Sequence, residues 1–176
     1  RNPTLPAPYH GRRQTRSRQD ALSTMEPIFD LDVATARKRR AHQAADHGAG
    51  FLMQRAADDL ADRLATVERR FPSAAAVLSL TSAAQNVLRT SGKVENIVRV
   101  EADPLLLDGE GEVAASEILP LEPESLDLAV SLYALHEVND LPGMLIQIRR
   151  ALWPDGLFLG CMAGAGTLAE LRDALL

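Results

Sequence analysis

Residues 119–160 read LPLEPESLDLAVSLYALHEVNDLPGMLIQIRRALWPDGLFLG, and this stretch indicates the fold. Residues 127–135 begin as an apolar strand, residues 141–152 have a helical pattern, and a Pro-Asp-Gly turn leads to a second strand over 157–161. The strands are continuously apolar rather than alternating, which is typical of strands buried on both faces of a parallel sheet. The succession therefore predicts a right-handed β-α-β crossover.

The same alternation of apolar strands and helices extends toward the N-terminus. Residues 76–80 and 97–101 read as buried strands, with a helix over 82–90 between them, and a short strand is predicted near Val113. Together these segments predict an α/β fold with a doubly wound, mostly parallel sheet.

Two helices are predicted before the sheet, over residues 33–47 and 51–70, and Pro72 is expected to end the second. The first contains the basic run 37–40, which could contact nucleic acid or a membrane surface. Since four consecutive helical positions point in all directions, an ordinary solvated helix is the other interpretation.

Composition limits the class of protein. The chain has 176 residues, 46% hydrophobic and 24% charged, which is typical of one globular domain. No apolar run approaches the ~20 residues of a membrane span. Aromatic residues make up only 4%, and residues 101–148 hold eleven acids and no Lys or Arg, so no nucleic-acid partner is expected.

The first 25 residues differ from the rest. Residues 1–25 hold five arginines, one acid and three prolines without apolar periodicity, so we expect a disordered basic tail. A transit peptide and a start assigned upstream of Met25 are the alternatives to a loose tail. We divide the remainder into N-terminal helices over 26–72 and a sheet domain over 73–176.

Ligands of doubly wound sheets bind beyond the carboxyl ends of the strands. The predicted strands place residues 80–83, 101–103 and 131–133 there. Either Glu101 or Asp103 could accept hydrogen bonds from the ribose hydroxyls of an adenosine cofactor.

The turn after the first strand lacks the usual signal of a nucleotide site. A nucleoside cofactor normally requires glycine there, so that the backbone can approach the ligand. This chain has no glycine between Gly50 and Gly92. A sheet without a bound nucleotide therefore stays open as an alternative.

Other chemistries are not supported. The four histidines have no metal-ligand spacing with Cys161, so no metal site is predicted, and a single cysteine excludes an internal disulfide. There is no phosphate-binding loop and no G-x-S-x-G nucleophile elbow. Ser131 and His136 lie five residues apart without an orienting acid, so a hydrolase triad is not expected.

The stretch 119–160 resembles class I S-adenosylmethionine-dependent methyltransferases in its acid-bearing loop, strand, helix and L-x-P-x-G turn. The segments IFDLDVATARKRR (28–40), LHEVNDLPG (135–143) and FLGCMAGAGTLAELR (158–172) are similar to the methyltransferase-like family of mitochondrial complex I assembly factor 5 and its bacterial relatives. The resemblance covers residues 25–176.

This resemblance implies a Rossmann-like sheet of order 3-2-1-4-5 with strands six and seven absent, so that residues 73–176 form a C-terminally truncated domain. It implies S-adenosylmethionine as cofactor and methyl transfer to a protein or small-molecule acceptor, in the bacterial cytoplasm or alternatively the mitochondrial matrix. The other function it implies is a non-catalytic or arginine-hydroxylating respiratory complex I assembly factor with a degenerate cofactor site.

The resemblance also implies a set of site residues. The cofactor-binding candidates are Leu80, Thr81, Ser82, Ala83, Glu101, Ala102, Ser116, Glu117, Ser131 and Leu132. The acceptor-side candidates are Tyr133 and His136, and no catalytic residue is assigned. The family's D-x-G-x-G-x-G motif corresponds in this interpretation to residues 79–85, SLTSAAQ. Relatives also carry an acid that contacts adenine, and Glu117, at a shifted position, is the candidate to replace it.

Overall fold

A computed structural model of the protein describes residues 27–44, 46 and 48–175. The predicted basic tail over residues 1–25 lies outside these residues. The helices are α1 (Leu31–Ala44), α2 (Phe51–Thr66), α3 (Ala83–Thr90), α4 (Leu141–Ala151) and α5 (Ala169–Leu175). The strands are β1 (Phe71–Val77), β2 (Val94–Glu101), β3 (Glu112–Val113), β4 (Leu126–Leu132) and β5 (Leu152–Cys161). Among the described helices, none has the length and apolar character needed to span a bilayer.

The five strands form one sheet in the order β3-β2-β1-β4-β5, and every neighbouring pair is parallel. The doubly wound fold and the order 3-2-1-4-5 are therefore confirmed. β1 is central, since Ala75 pairs with Val98 of β2 and with Ala129 of β4. The chain changes direction across the sheet between β1 and β4, which is where sheets of this kind bind ligands.

Helices cover both faces of the sheet and pack against the small apolar residues 74–77 of β1. On one face Ala76 belongs to a cluster with Leu64 of α2. On the other face Val77 packs in a second cluster with Ile148 of α4. All four side chains are buried, so the second half of β1 has no solvated face and its sequence shows no alternation.

The first strand lies earlier in the chain than predicted. β1 spans Phe71–Val77 rather than residues 76–80, and Phe71 is already in register with Val94. Pro72 does not prevent this, because a proline at the start of a strand is tolerated. The strand therefore ends three residues before Leu80, and the ligand-facing turn is displaced with it.

The second helix is correspondingly shorter than residues 51–70. It ends at Thr66, where Lys93 Nζ donates to the carbonyl oxygens of Leu64 at 2.5 Å and Ala65 at 3.2 Å. A cation at a helix C-terminus satisfies carbonyl groups that have no partner within the helix. This contact crosses 28 to 29 residues of sequence, so the local pattern could not predict it.

The C-terminal segment also differs in detail from the prediction. β5 begins at Leu152 and continues through residues 154–156, with a register shift against β4, instead of starting after a turn. Before α5, the Thr167 hydroxyl accepts from the Gly164 amide at 3.1 Å. Within the described residues β5 is the last strand, and the domain division at residues 72 and 73 stays a prediction.

Candidate functional site

The turn after β1 has the backbone conformation of a glycine loop but carries leucines. Leu78 and Leu80 have φ angles of 51° and 58°, in the left-handed region that glycine adopts without steric cost. The Leu78 amide donates to the Val100 carbonyl oxygen at 2.7 Å, and the Ser79 hydroxyl accepts from the Leu132 amide at 3.3 Å. Bonds to β2 and β4 therefore impose this conformation on the turn.

These two angles correct the interpretation of the glycine motif. In D-x-G-x-G the first two glycines are two residues apart, as are the left-handed positions 78 and 80. The motif therefore corresponds to residues 76–82 rather than 79–85. The error has the same origin as the misplaced β1, because a run of Ala, Ser and Leu contains no glycine that could fix the alignment.

Glu101 ends β2 with its side chain only 2% exposed. Arg99 of the same strand, 1% exposed, donates through Nε to Glu101 Oε1 at 3.3 Å. Burial raises the pKa of Glu101 to about 7, although Arg99 and the backbone amides of Leu80 and Ser79 act in the opposite direction. Protonated or not, a carboxyl group here can accept hydrogen bonds from ligand hydroxyls.

Asp103, the second acid considered for a ribose, is engaged within the protein. Its Oδ1 accepts from the Leu105 amide at 3.0 Å and thereby caps a short 3₁₀ helix. Its Oδ2 accepts from Arg39 of α1, with the Nε contact at 2.8 Å. The hydrogen bond from Arg39 lowers the pKa of Asp103, so this carboxylate is ionised and paired near neutral pH.

A tight turn before β4 carries two further site candidates. Ser116 and Glu117 have φ angles of 50° and 63°, and the Ile118 amide donates to the Ala115 carbonyl oxygen at 2.9 Å. Two successive left-handed residues are what a two-residue hairpin turn requires. The Glu117 carboxylate accepts from the Asn139 amide at 2.8 Å, so it fixes the loop before α4.

Tyr133 directly follows β4, at the carboxyl ends of the strands. Its φ is 53°, and its amide donates to the Cys161 carbonyl oxygen at 2.7 Å. Interaction with Cys161 also raises the pKa of the Tyr133 hydroxyl. The tyrosine is thereby held between the ends of β4 and β5.

A cavity of about 410 Å³ lies between α1 and the carboxyl ends of β1, β2 and β4. Six predicted site residues line it: Leu80, Glu101, Ala102, Ser116, Glu117 and Tyr133. Leu78 lines it as well, and the sequence interpretation omitted this residue because it placed Leu78 inside the first strand.

The other predicted site residues lie elsewhere. Three line neighbouring cavities: Thr81, Ala83 and Leu132. Ser82 is at the start of α3. Ser131 is fully buried, and neither its hydroxyl nor His136 Nδ1 has a hydrogen-bond partner in the described part of the chain. The assignment of these residues to a ligand stays a prediction.

Helix α1 covers one side of the cavity, and we call it the roof of the cavity. None of the residues of α1 is itself buried. Two contacts hold this helix to acids that line the cavity, Lys38 Nζ to Glu137 Oε2 at 2.7 Å and Arg39 to Asp103. Outside the cavity, His42 Nε2 lies 3.3 Å from Asp108 Oδ1. Two residues of the basic run 37–40 therefore have partners within the protein. Sequence reasoning missed this role because the partner of Arg39 lies 64 residues away.

Comparisons with known proteins give similarities in sequence and in fold. Residues 81–160 match the family model of the methyltransferase domain. The human protein "Arginine-hydroxylase NDUFAF5, mitochondrial" is 33% identical over 195 residues, which cover 97% of this chain and 53% of the relative. The malonyl-[acyl-carrier protein] O-methyltransferase of Gallionella capsiferriformans is 41% identical over 58 residues, 33% of this chain and 20% of the relative.

The chain spans about half the length of its NDUFAF5 relatives. Among solved structures, a candidate S-adenosyl-L-methionine-dependent methyltransferase from Methanococcus maripaludis is similar, with a TM-score of 0.54 and 15% identity over 78% of this chain and 67% of that chain. At this identity the likeness concerns the fold alone. Residues 81–160 are thus similar to a methyltransferase domain, most of the chain is similar to part of the NDUFAF5 proteins, and the sheet has the fold of S-adenosylmethionine-dependent methyltransferases.

Proposed function

We propose that this chain is an S-adenosylmethionine-dependent, methyltransferase-like protein, and that the cavity at the carboxyl edge of the sheet is its cofactor site. The observation that carries the proposal is Glu101, a buried carboxyl group at the end of β2 in the wall of that cavity. The position suits an acceptor for ribose hydroxyls in a doubly wound sheet. S-adenosylmethionine would supply an activated methyl group, and the protein would align it with an acceptor.

The residues present fit the two ends of this cofactor unequally. At the nucleoside end, Glu101 can accept hydrogen bonds from the ribose hydroxyls, and Ala102 and Ser116 line the same cavity. At the amino-acid end, Leu78 and Leu80 stand where a glycine turn would leave room. The proposal therefore rests on the nucleoside end.

A protein or small molecule is the proposed acceptor, with Tyr133 on the acceptor side. Tyr133 lines the cavity next to the end of β5. A protein acceptor is in keeping with the name of the Gallionella relative, which acts on a malonyl group of a carrier protein. The rim carries Glu101, Asp103 and Glu117, so we propose a protein rather than a nucleic acid as partner.

Ligand-induced stabilisation tests the cofactor site. Thermal and chemical unfolding would be followed with and without S-adenosylmethionine and S-adenosylhomocysteine. A ligand at 100 times its dissociation constant adds about 2.7 kcal/mol to the free energy of unfolding. We expect a shift for the wild type and for E112A, an exposed control, and a smaller shift for E101A. Absence of any shift at millimolar ligand would refute the proposal.

Arginine hydroxylation in complex I assembly is the second candidate function. It is favoured by the match to human NDUFAF5, which includes 97% of this chain and is named an arginine-hydroxylase. Mass spectrometry of a candidate partner protein separates the two, because hydroxylation adds about 16 Da and methylation about 14 Da. A partner that is bound but gains no mass would instead support an assembly scaffold.

The compartment is proposed on the same basis. The NDUFAF5 relatives are named mitochondrial, which favours the mitochondrial matrix, and the bacterial cytoplasm is the alternative. Imaging of a tagged full-length protein in its own cell distinguishes the two.

A further inference from the structure

We propose that Leu78 and Leu80 are specificity-determining residues of the cavity, which restrict the amino-acid end of S-adenosylmethionine while leaving the nucleoside end open. This inference rests on the proposed function, since it assumes that the nucleoside binds at Glu101. It predicts that the protein binds an adenine nucleoside without the amino-acid end more tightly than S-adenosylmethionine.

The backbone of the turn fixes the points from which these side chains project. The left-handed angles at 78 and 80 would suit glycine, which places no side chain in the cavity. The Leu78 amide is bonded to Val100, and the Thr81 amide donates to the Ser79 carbonyl oxygen at 2.6 Å. A rotation of the backbone that withdrew Leu78 from the cavity would break its bond to Val100.

The core holds the same side chains from both faces of the sheet. Leu78 packs against the cluster that contains Ile148 of α4, and Leu80 packs against the cluster that contains Leu64 of α2. Both leucines are half-buried, and both line the cavity. They are therefore fixed parts of its wall.

The chemistry of the turn also disfavours an amino-acid end. That end carries an ammonium and a carboxylate group, and removing charged groups from water beside leucine side chains is costly without compensating hydrogen bonds. The backbone amides of Ser79 and Leu80, which could approach a carboxylate, already interact with Glu101, where they oppose the rise of its pKa. The nucleoside end meets no such obstacle at Ala102 and Ser116.

Isothermal titration of the full chain with two probes tests the inference. The probes are S-adenosylmethionine and 5′-deoxy-5′-methylthioadenosine, which lacks the amino-acid end. For the wild type we expect the second to bind at least about tenfold more tightly. The double variant L78G/L80G should bind S-adenosylmethionine at least about tenfold more tightly than the wild type, with little change for the other probe.

Leu168 provides a matched control. It is another leucine in the left-handed region, with φ 55°, but it is 66% exposed and does not line the cavity. L168G should change neither affinity. Circular dichroism verifies folding, and L78A/L80A, which shortens the side chains but retains Cβ, should give an intermediate gain if the glycine variant does not fold.

The outcomes separate the inference from the proposed function. Equal affinity of the wild type and the folded double variants for S-adenosylmethionine would overturn the inference alone. Wild-type binding of S-adenosylmethionine as tight as that of the nucleoside would do the same. If neither probe bound any folded variant, the proposed function would fail and the inference with it.

Discussion

Arg99 Nε lies 3.3 Å from Glu101 Oε1, and the two side chains are 1% and 2% exposed. They point to the same face of β2 because residues two apart in a strand do so. Burial disfavours the charged carboxylate more than Arg99 favours it, so the pKa of Glu101 rises to about 7. The folded protein therefore retains a proton that the unfolded chain loses at lower pH.

The first prediction concerns the pH dependence of stability. Between the ordinary pKa of 4.5 and the folded value of about 7, the folded state binds more protons, so stability falls as pH rises. Relative to E101Q, the wild type should lose about 3 kcal/mol across this interval. Urea unfolding at several pH values measures the difference, with E112Q at an exposed glutamate as control. A constant difference between wild type and E101Q would contradict the assignment.

The second prediction compares two fully buried serines. The Ser79 hydroxyl accepts from the Leu132 amide, so S79A leaves a buried donor unsatisfied and should cost about 1–3 kcal/mol. The Ser131 hydroxyl has no hydrogen-bond partner in the described residues, so S131A should leave stability unchanged or raise it. Chemical unfolding of both variants measures the contrast, and equal losses would show that the Ser79 bond does not contribute.

The third prediction concerns the roof of the cavity. Because α1 buries no residue and is held by charged contacts, raising salt to about 0.5 M should increase amide exchange in α1 but not in α3. R39Q should have the same effect at low salt. R63Q is the control, since it removes the exposed pair with Asp59 on α2. Protection of α1 that is insensitive to salt and to R39Q would mean that other contacts hold it.

The fourth prediction concerns the stability of α1 at low pH. Arg39 lowers the pKa of Asp103 below its ordinary value of 3.8. A depressed carboxyl pKa stabilises the folded state above the unfolded value, and this contribution disappears as the pH falls through the folded value. Exchange protection of α1, corrected for intrinsic rates, should therefore decrease below pH 3.8. D103N keeps a capping side chain but should abolish this response, whereas a response that persists would assign it to another acid.

Much of the fold could be predicted because it depends on local pattern. Continuous apolar strands separated by helices required a parallel sheet with both faces covered, and the family resemblance supplied the strand order. Glu101 could be placed at a strand end because its strand is unambiguous. The first strand was misplaced since Ala and Ser fit helix, strand and turn equally well, and Pro72 suggested an end rather than a beginning.

The sequence by itself determined the doubly wound sheet and the acid at the end of β2, because hydrophobic periodicity and strand ends are properties of neighbouring residues. The tertiary structure alone decided which residues occupy the glycine positions and what covers the cavity. Leu78 is held in the left-handed region by a bond to Val100, and Arg39 reaches Asp103 across 64 residues. Both depend on contacts between distant segments, which exist only once the sheet has formed.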